Sequence, residues 1–409
     1  MLDIRLIRAE TEAVRAALQR RGDVEPDAVD RVVALDERWR ALTTELEELR
    51  AEQNRASRSR RGTPGDAERQ QMAALAARGR DLTALETGVR NELDALLLTL
   101  PNIPAVDAPA HDTVLREVGN AGATGRDHLE LAGAMIDMER GARLSGSRFA
   151  YLRGGLVLLE LALVQYALAK LIAEGFEPVL PPVLVRERAL VGTGMLPDTE
   201  QQIYRLTDGD LYLVGTSEVA LASLHRDEIL DAGELPRRYA GFSACFRREA
   251  GAAGKDTRGI FRVHQFDKLE MFCFVEPGAS DAEHERILSI EESILTELQI
   301  PYRVVAIAVD DLGSSAAKKY DCEAWMPGQG QYREVTSCSN TTDFQARRLG
   351  IRHRPAASER PATLHTLNGT AVTWRHMIAL LENGQQPDGS VVLPEVLTRY
   401  GAPATLSAG

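Results

Sequence analysis

Residues 238–275 read RYAGFSACFRREAGAAGKDTRGIFRVHQFDKLEMFCFV. Arg238 to Arg247 and Ile260 to Val275 read as two strands, joined by the polar, glycine-rich stretch Arg248-Glu-Ala-Gly-Ala-Ala-Gly-Lys-Asp-Thr-Arg-Gly259. Hairpin connections this long and this rich in glycine and charge usually carry function. By the strand period of two, Arg247 and Glu249 share a face, with Arg258 and Arg262 further along and Phe266 on the returning strand. A cation, an acceptor and an aromatic ring can then converge. Such a trio suits a nucleotide: guanidinium on phosphate, carboxylate accepting from an amino group, ring stacked on the base. Alternating charges on a strand are also commonly just solvated, and the pattern alone leaves both readings open.

Outward from this hairpin, the chain from about residue 115 is a mixture of short strands, turns and helices without an internal repeat. Leu156 to Ala173 predicts a helix, and Gly175-Phe-Glu-Pro-Val-Leu-Pro-Pro182 a strand ending on prolines. Downstream, Glu334-Val-Thr-Ser337 sets an acid and hydroxyls close together, a set suited to Mg²⁺ bridging phosphates and equally compatible with a surface strand end. The last element, Ala371 to Leu381, reads as a helix introduced by an Asn368-Gly-Thr370 turn.

The first hundred residues differ. Val32, Leu35, Trp39, Leu42, Leu46 and Leu49 step by three and four, which puts them on one helical stripe. Met72, Leu75, Leu82, Val89, Leu93, Leu96 and Leu100 follow the same rule, with Gly79 and Glu86 as lapses. Arg58-Ser-Arg-Arg-Gly-Thr-Pro-Gly65 turns the chain between them. An antiparallel two-helix arm is expected, closed by Pro101-Asn-Ile-Pro104, and heptads of this kind often serve dimerisation alone.

Composition narrows the classes. At 409 residues, with 44% hydrophobic and 26% charged residues, the chain is too long for one core and ordinary for globular protein. A net charge of −12 has the wrong sign for nucleic-acid binding through bulk charge. Local distribution says more: Arg50, Arg55, Arg58, Arg60 and Arg61 face only Glu52 at the tip of the expected arm, a basic end suited to phosphate. Cys245, Cys273, Cys322 and Cys338 form no CxxC pair and read as reduced cytosolic thiols. The opening MLDIRLIRAETEAVR lacks the apolar core of a secretory signal, and Leu156 to Ile172 is broken by Glu160, Gln165 and Lys170. Neither export nor membrane insertion is expected.

There is no GxxxxGK[ST] phosphate loop, no GxGxxG after a strand and no GxSxG elbow. His225, His264, His353 and His376 are isolated and lack metal-ligand spacing, so no structural zinc is expected. Any reaction here would rest on positioning and charge neutralisation of a phosphorylated substrate rather than on covalent catalysis.

Taken together, these segments closely resemble the seryl-tRNA synthetases, class II aminoacyl-tRNA synthetases, over essentially the whole chain. Gly175–Pro182 resembles class II motif 1, Phe246-Arg-Arg-Glu249 through Arg262-Val-His-Gln-Phe266 motif 2, and Asn368-Gly-Thr370 through Arg375 with Ala379-Leu-Leu-Glu-Asn383 motif 3. More specific to the seryl family are Thr216-Ser-Glu218, Gly254-Lys-Asp-Thr-Arg-Gly259, Glu323-Ala-Trp325 and Ser337-Cys-Ser-Asn340 with Phe344-Gln-Ala-Arg-Arg348.

The resemblance implies an α+β fold, an antiparallel class II sheet core over 111–409 preceded by a helical, tRNA-binding coiled-coil arm over 1–110. It implies a cytoplasmic homodimer, with the arm acting across subunits, that activates L-serine with ATP and Mg²⁺ and charges tRNA(Ser); tRNA(Sec) is left open as a second acceptor. For serine it implies Thr216, Ser217, Glu218, Arg247, Glu270 and Thr370. For ATP it implies Arg247, Arg248, Glu249, Arg258, Val263, Phe266, Glu334, Val335, Thr336, Ser337 and Arg375. Within that set Glu334 and Ser337 would hold Mg²⁺, and Arg247, Arg375 and Glu334 would carry catalysis. Arg50, Arg55, Arg58, Arg60 and Arg61 would meet the tRNA.

Some positions depart from the commonest family pattern: Ser217, where alanine is frequent, Trp374, where a small residue precedes the motif 3 arginine, and Ala371-Val372 just before it. The indole either packs the helix or reshapes the floor of the site. Other readings are a paralogue specialised for antibiotic resistance or biosynthesis, an amino acid:carrier protein ligase, which should lack the arm, and a noncatalytic RNA-binding paralogue, which should have lost its ATP residues.

Overall fold

A computed structural model of the chain describes residues 1–58, 65–197, 202–207, 209–249, 258–355 and 360–407. It divides into two compact units, Met1–Pro101 and Asn102–Gly409.

The first unit is helical: α1 Ile4–Ala9, α2 Thr11–Gln19, α3 Ala28–Arg58 and α4 Asp66–Thr99. With 31 and 34 residues, α3 and α4 are rods of roughly 46 and 51 Å at 1.5 Å per residue. The contacts Trp39–Glu86, Glu45–Arg78 and Gln53–Leu75 advance along one helix as they retreat along the other, so the pair is antiparallel. The heptad stripe is the seam, in which Leu46, Leu49 and Leu82 are buried and Leu42 and Leu75 pack against them. Of the two lapses, Glu86 has a polar role: its carboxylate accepts from the Trp39 indole at 2.5 Å. At the base, α1 is tied to α3 by Arg8, whose Nε lies 2.7 Å from Oδ2 of the buried Asp36.

The second unit is built on an eight-stranded sheet of β1 Thr113–Val118, β2 Glu177–Val179, β3 Arg237–Phe246, β4 Gln265–Val275, β5 Tyr302–Ala306, β6 Lys318–Met326, β7 Gln331–Thr342 and β8 His365–Thr373. The order is β1-β5-β6-β7-β8-β4-β3-β2. Every pair is antiparallel except the short edge strand β2, which runs parallel to β3. The expected α+β architecture is therefore present, with its strand from the proline-rich segment at the edge, where a missing N–H is tolerated.

Strand β4 shows how the sheet is faced. Leu269, Met271 and Cys273 are buried in the main core with two long helices, α6 Gly155–Ala173 and α8 Ser280–Glu297. On the opposite side Phe266, Lys268 and Glu270 line a cleft, and Phe272 and Phe274 extend that side into a second core with Leu221 of α7 Glu218–Ala222 and Ala346 and Leu349 of α9 Phe344–Leu349. Helix α5, His128–Ala132, lies beside α10, Trp374–Asn383. Helix α6 has the length and apolarity of a membrane span; Leu156, Leu159, Ala162, Leu163 and Leu171 lie in the core. All four cysteines are free and buried.

Two expected elements differ. The returning strand of the hairpin, expected from Ile260, begins at Gln265. Asn368-Gly-Thr370 is not a turn but the interior of β8, with Gly369 opposite Met271 and Cys338, and the helix begins at Trp374 rather than at Ala371. The glycine answers to packing: a Cβ at position 369 would stand 2.4 Å from Cγ2 of Ile287 and 2.9 Å from Oε1 of Glu291 on α8. A glycine required by close approach reads in sequence like a glycine required by a turn.

Candidate active site

The cleft, about 370 Å³, opens over the middle of the sheet. Two β-bulges set its floor. Between β6 and β7 the pairing passes from Cys322–Thr336 to Glu323–Glu334, leaving Val335 as the extra residue. Between β4 and β8 it passes from Leu269–Val372 to Glu270–Thr370, leaving Ala371 extra. A regular strand would turn residues three apart to opposite faces. The bulges put Glu334 and Ser337, and likewise Thr370 and Thr373, together in the cleft.

One end of the cleft is acidic and buried. Thr216, Glu218, Lys268, Glu270 and Thr370 are each under a tenth exposed. Nζ of Lys268 pairs with Oε2 of Glu270, which also accepts from the Thr216 hydroxyl at 3.4 Å. Glu218 accepts from Nε2 of Gln345 at 2.7 Å, and its backbone N–H donates to Oγ1 of Thr216. Burial, followed by the nearby Glu270 charge, raises the Glu218 carboxyl to about 7.

The other end combines cations and rings. Arg247 follows the last residue of β3; its Nε donates to Gly215 O at 3.2 Å, and its guanidinium lies 5.3 Å from the centre of the Phe266 ring. Glu249, three residues beyond the end of β3, is in the left-handed region at φ +50° and pairs with Arg262. Phe261 carries two guanidinium groups, those of Arg333 at 4.0 Å and Arg375 at 4.6 Å from its centre.

On the bulged part of β7, the Arg375 side chain holds Glu334, and Lys319 and Asp321 enter from β6. Burial acts to raise the Glu334 carboxyl, but Arg375, Lys319 and Arg247 together hold it below its ordinary value. Asp321, buried opposite Ser337, rises to about 7, desolvation outweighing Lys319.

Of the residues expected from sequence, Thr216, Glu218, Arg247, Glu249, Val263, Phe266, Glu270, Glu334, Val335, Ser337, Thr370 and Arg375 line the one cleft. Others point elsewhere. The Ser217 hydroxyl is fully buried against Gly241 O at 3.2 Å and Ser243 Oγ at 2.9 Å. Thr336 faces the opposite side of its strand and donates to Glu291 Oε2 at 2.7 Å. Arg248 is exposed, its N–H on Gln202 O, and the exposed Arg258 pairs with Asp127 at 3.1 Å. Trp374 lines the cleft and packs the core together, its indole N–H on Glu160 at 2.5 Å. Lys268, Phe261 and Lys319 were not anticipated, although Lys268 stands one strand period from Glu270. In the helical unit Arg50, Arg55 and Arg58 are exposed; Arg60 and Arg61 lie outside the described residues.

Residues 203–384 match the family model described as tRNA synthetase class II core domain (G, H, P, S and T), and residues 1–104 that of the seryl-tRNA synthetase N-terminal domain. The chain is 50% identical to the serine–tRNA ligase of Acidothermus cellulolyticus, covering 98% of each, and 49% identical to that of Streptomyces coelicolor, covering 98% of this chain and 97% of the relative. Among solved structures it is similar to the seryl-tRNA synthetase from Pyrococcus horikoshii complexed with ATP, with a TM-score of 0.94 and 42% identity over 100% and 99% of the two chains. The cytoplasmic serine-tRNA ligase from Naegleria fowleri in complex with AMP gives a TM-score of 0.89 at 32% identity over the same shares. An antiparallel class II sheet, a helical N-terminal unit and half-identity over nearly the full length agree: the chain belongs to the seryl-tRNA synthetase family.

Proposed function

We propose that this protein is a serine–tRNA ligase, which condenses L-serine with ATP to seryl-adenylate and transfers the seryl group to tRNA(Ser) in the cytoplasm. The observation that carries the reading is Arg247, which lines one cleft with a buried acidic pocket and with an aromatic ring beneath its guanidinium. Glu218 and Glu270, with Thr216, suit the ammonium and hydroxyl of serine, and Thr370 lies opposite Glu270 to contact the hydroxyl end. Alanine would leave these buried polar groups unpaired, and rejection of threonine would rest on size.

Phe266 and Val263 suit the adenine ring, Glu249 its amino group, and Arg247 and Arg375 the phosphates. No catalytic base is required for the first step. The serine carboxylate is already an anion and attacks the α-phosphorus in line while fixed guanidinium groups offset the charge on the leaving pyrophosphate. A terminal ribose hydroxyl of the tRNA then attacks the mixed anhydride. One carboxylate and one hydroxyl beside phosphate-binding arginines fit a hard divalent ion that completes its shell with phosphate oxygens and water. Glu334 and Ser337 would hold Mg²⁺, which when bound neutralises phosphate charge.

The arm arginines Arg50, Arg55 and Arg58, with Arg60 and Arg61, are the proposed contacts to the tRNA backbone. A homodimer is supported by the apolar surface that α6 leaves exposed at Val157, Leu158 and Leu161. A carrier-protein ligase would lack the helical unit, which is present here. Serine-dependent ATP–pyrophosphate exchange, compared with alanine, glycine, threonine and cysteine and followed by tRNA charging, tests the proposal. Exchange selective for another amino acid, or no exchange, would sink it.

A further inference from the structure

Behind the wall of the cleft lies a buried polar relay that the reaction as described does not use. His128, the first residue of α5, is 4% exposed, and Glu382, near the end of α10, is 1% exposed. Oε1 of Glu382 accepts from the His128 backbone N–H at 3.2 Å and faces Nδ1 of its ring at 3.1 Å; Oε2 accepts from Gly328 N–H at 2.8 Å. The other ring nitrogen, Nε2, accepts from the backbone N–H of Ile260 at 3.2 Å. That pattern fixes the tautomer: the proton is on Nδ1, toward the carboxylate, and the lone pair of Nε2 is aimed at the hairpin backbone. The fit at the hairpin is close. A Cβ on Gly259, whose φ is +83°, would stand 2.2 Å from Nε2.

Ile260 is followed by Phe261, Arg262 and Val263, and all four line the cleft. Helix α10 therefore holds this short segment twice. Arg375 lies over the Phe261 ring at 4.6 Å, and Glu382, seven residues on and so on the same helical stripe, holds Ile260 through His128. A peptide N–H at a loop end is otherwise satisfied by water and leaves the backbone free to shift, whereas a buried imidazole backed by a carboxylate leaves it one position.

We propose that His128, oriented by Glu382, is a positioning residue for ATP: it fixes the returning end of the hairpin so that Phe261, Arg262 and Val263 meet the nucleotide. This rests on the assignment of the cleft to ATP. The test is steady-state pyrophosphate exchange on the full-length protein, measuring KM for ATP and for serine separately in His128→Ala, His128→Gln and Phe266→Ala. The expected result is an ATP KM raised about tenfold in His128→Ala with serine KM within about twofold, as loss of an interaction made to one substrate requires. His128→Gln, whose carboxamide oxygen can accept from Ile260, should recover most of the loss.

An ATP KM within twofold of the parent in His128→Ala, an equal rise in both KM values, or no recovery in His128→Gln overturns the inference. If Phe266→Ala also leaves the ATP KM unchanged, the ATP assignment itself fails, a different result from failure of His128 alone. Should His128→Ala not fold, Gly259→Ala displaces the imidazole from the other side, with the same split expected and an unchanged ATP KM overturning the proposal.

Discussion

Nη1 of Arg375 lies 3.0 Å from the backbone carbonyl of Glu334 and 3.1 Å from its carboxylate, so one guanidinium nitrogen holds both the strand and the side chain of the same residue. The carboxylate is thereby aimed as well as charged. Because Arg375, Lys319 and Arg247 overcome the effect of burial and hold its titration below the ordinary carboxylate range, Glu334 stays ionised at every pH at which the enzyme is assayed. Glu334→Gln should raise the Mg²⁺ concentration for half-maximal exchange by about tenfold, while the parent's Mg²⁺ requirement stays flat between about pH 6 and 8. Titration of exchange with Mg²⁺ at three pH values checks both.

Glu218 behaves in the opposite way. Its carboxyl, raised to about 7 by burial and by Glu270, is protonated on the acid side of neutrality, where the contact proposed with the serine ammonium would be lost. The kcat/KM for serine should therefore fall by about tenfold from pH 8 to pH 6, with a break near 7. Glu218→Gln should be weak throughout and should lack the break.

Glu270 is paired with Lys268 in a nearly dry site. Removing it leaves a buried cation unmatched and, in the proposed site, takes away a contact to serine. For Glu270→Ala we expect kcat/KM for serine to drop by about a hundredfold or more, the ATP KM to change little, and the melting temperature to fall. Unchanged serine kinetics would take Glu270 out of the pocket.

Gly369→Ala tests packing rather than chemistry. The added methyl would meet Ile287 and Glu291 on α8, and neither lies at the end of a free surface chain. Overpacking of this kind costs about 1–3 kcal/mol, a fall in melting temperature of several degrees for a unit of this size. Differential scanning fluorimetry of the variant reads it directly.

Arg50, Arg55 and Arg58 replaced together by alanine should leave pyrophosphate exchange intact and reduce tRNA charging by about tenfold or more, with a shallower dependence on salt. Charging and exchange measured at two ionic strengths separate an arm that meets tRNA from one that does not.

The heptads gave up the two long helices because a periodic stripe must find a partner, and the expected seam is the one that packs at Leu46, Leu49 and Leu82. The first strand of the hairpin was legible too, whereas the second begins at Gln265 and not at the expected Ile260. What sequence could not convey was which way side chains face where the strands are irregular. Thr336 and Ser337 look alike in a string of letters, yet the bulge at Val335 sends one to Glu291 behind the sheet and the other into the cleft. Ser217 and Thr216 are neighbours divided in the same way by the start of α7. Residues such as Lys268, Phe261 and Lys319 join the site only through register and long-range packing, which no local pattern encodes.

The bulges at Val335 and Ala371 also bear on how this site can vary in length. Where the strands of the sheet pair regularly, loss of one residue would invert every side chain beyond it. At these two positions a deletion would convert the bulge into regular strand and still leave Glu334 with Ser337, and Thr370 with Thr373, on one side. At the floor of the cleft each of these two strands can thus lose a single residue while the cleft-facing set is retained.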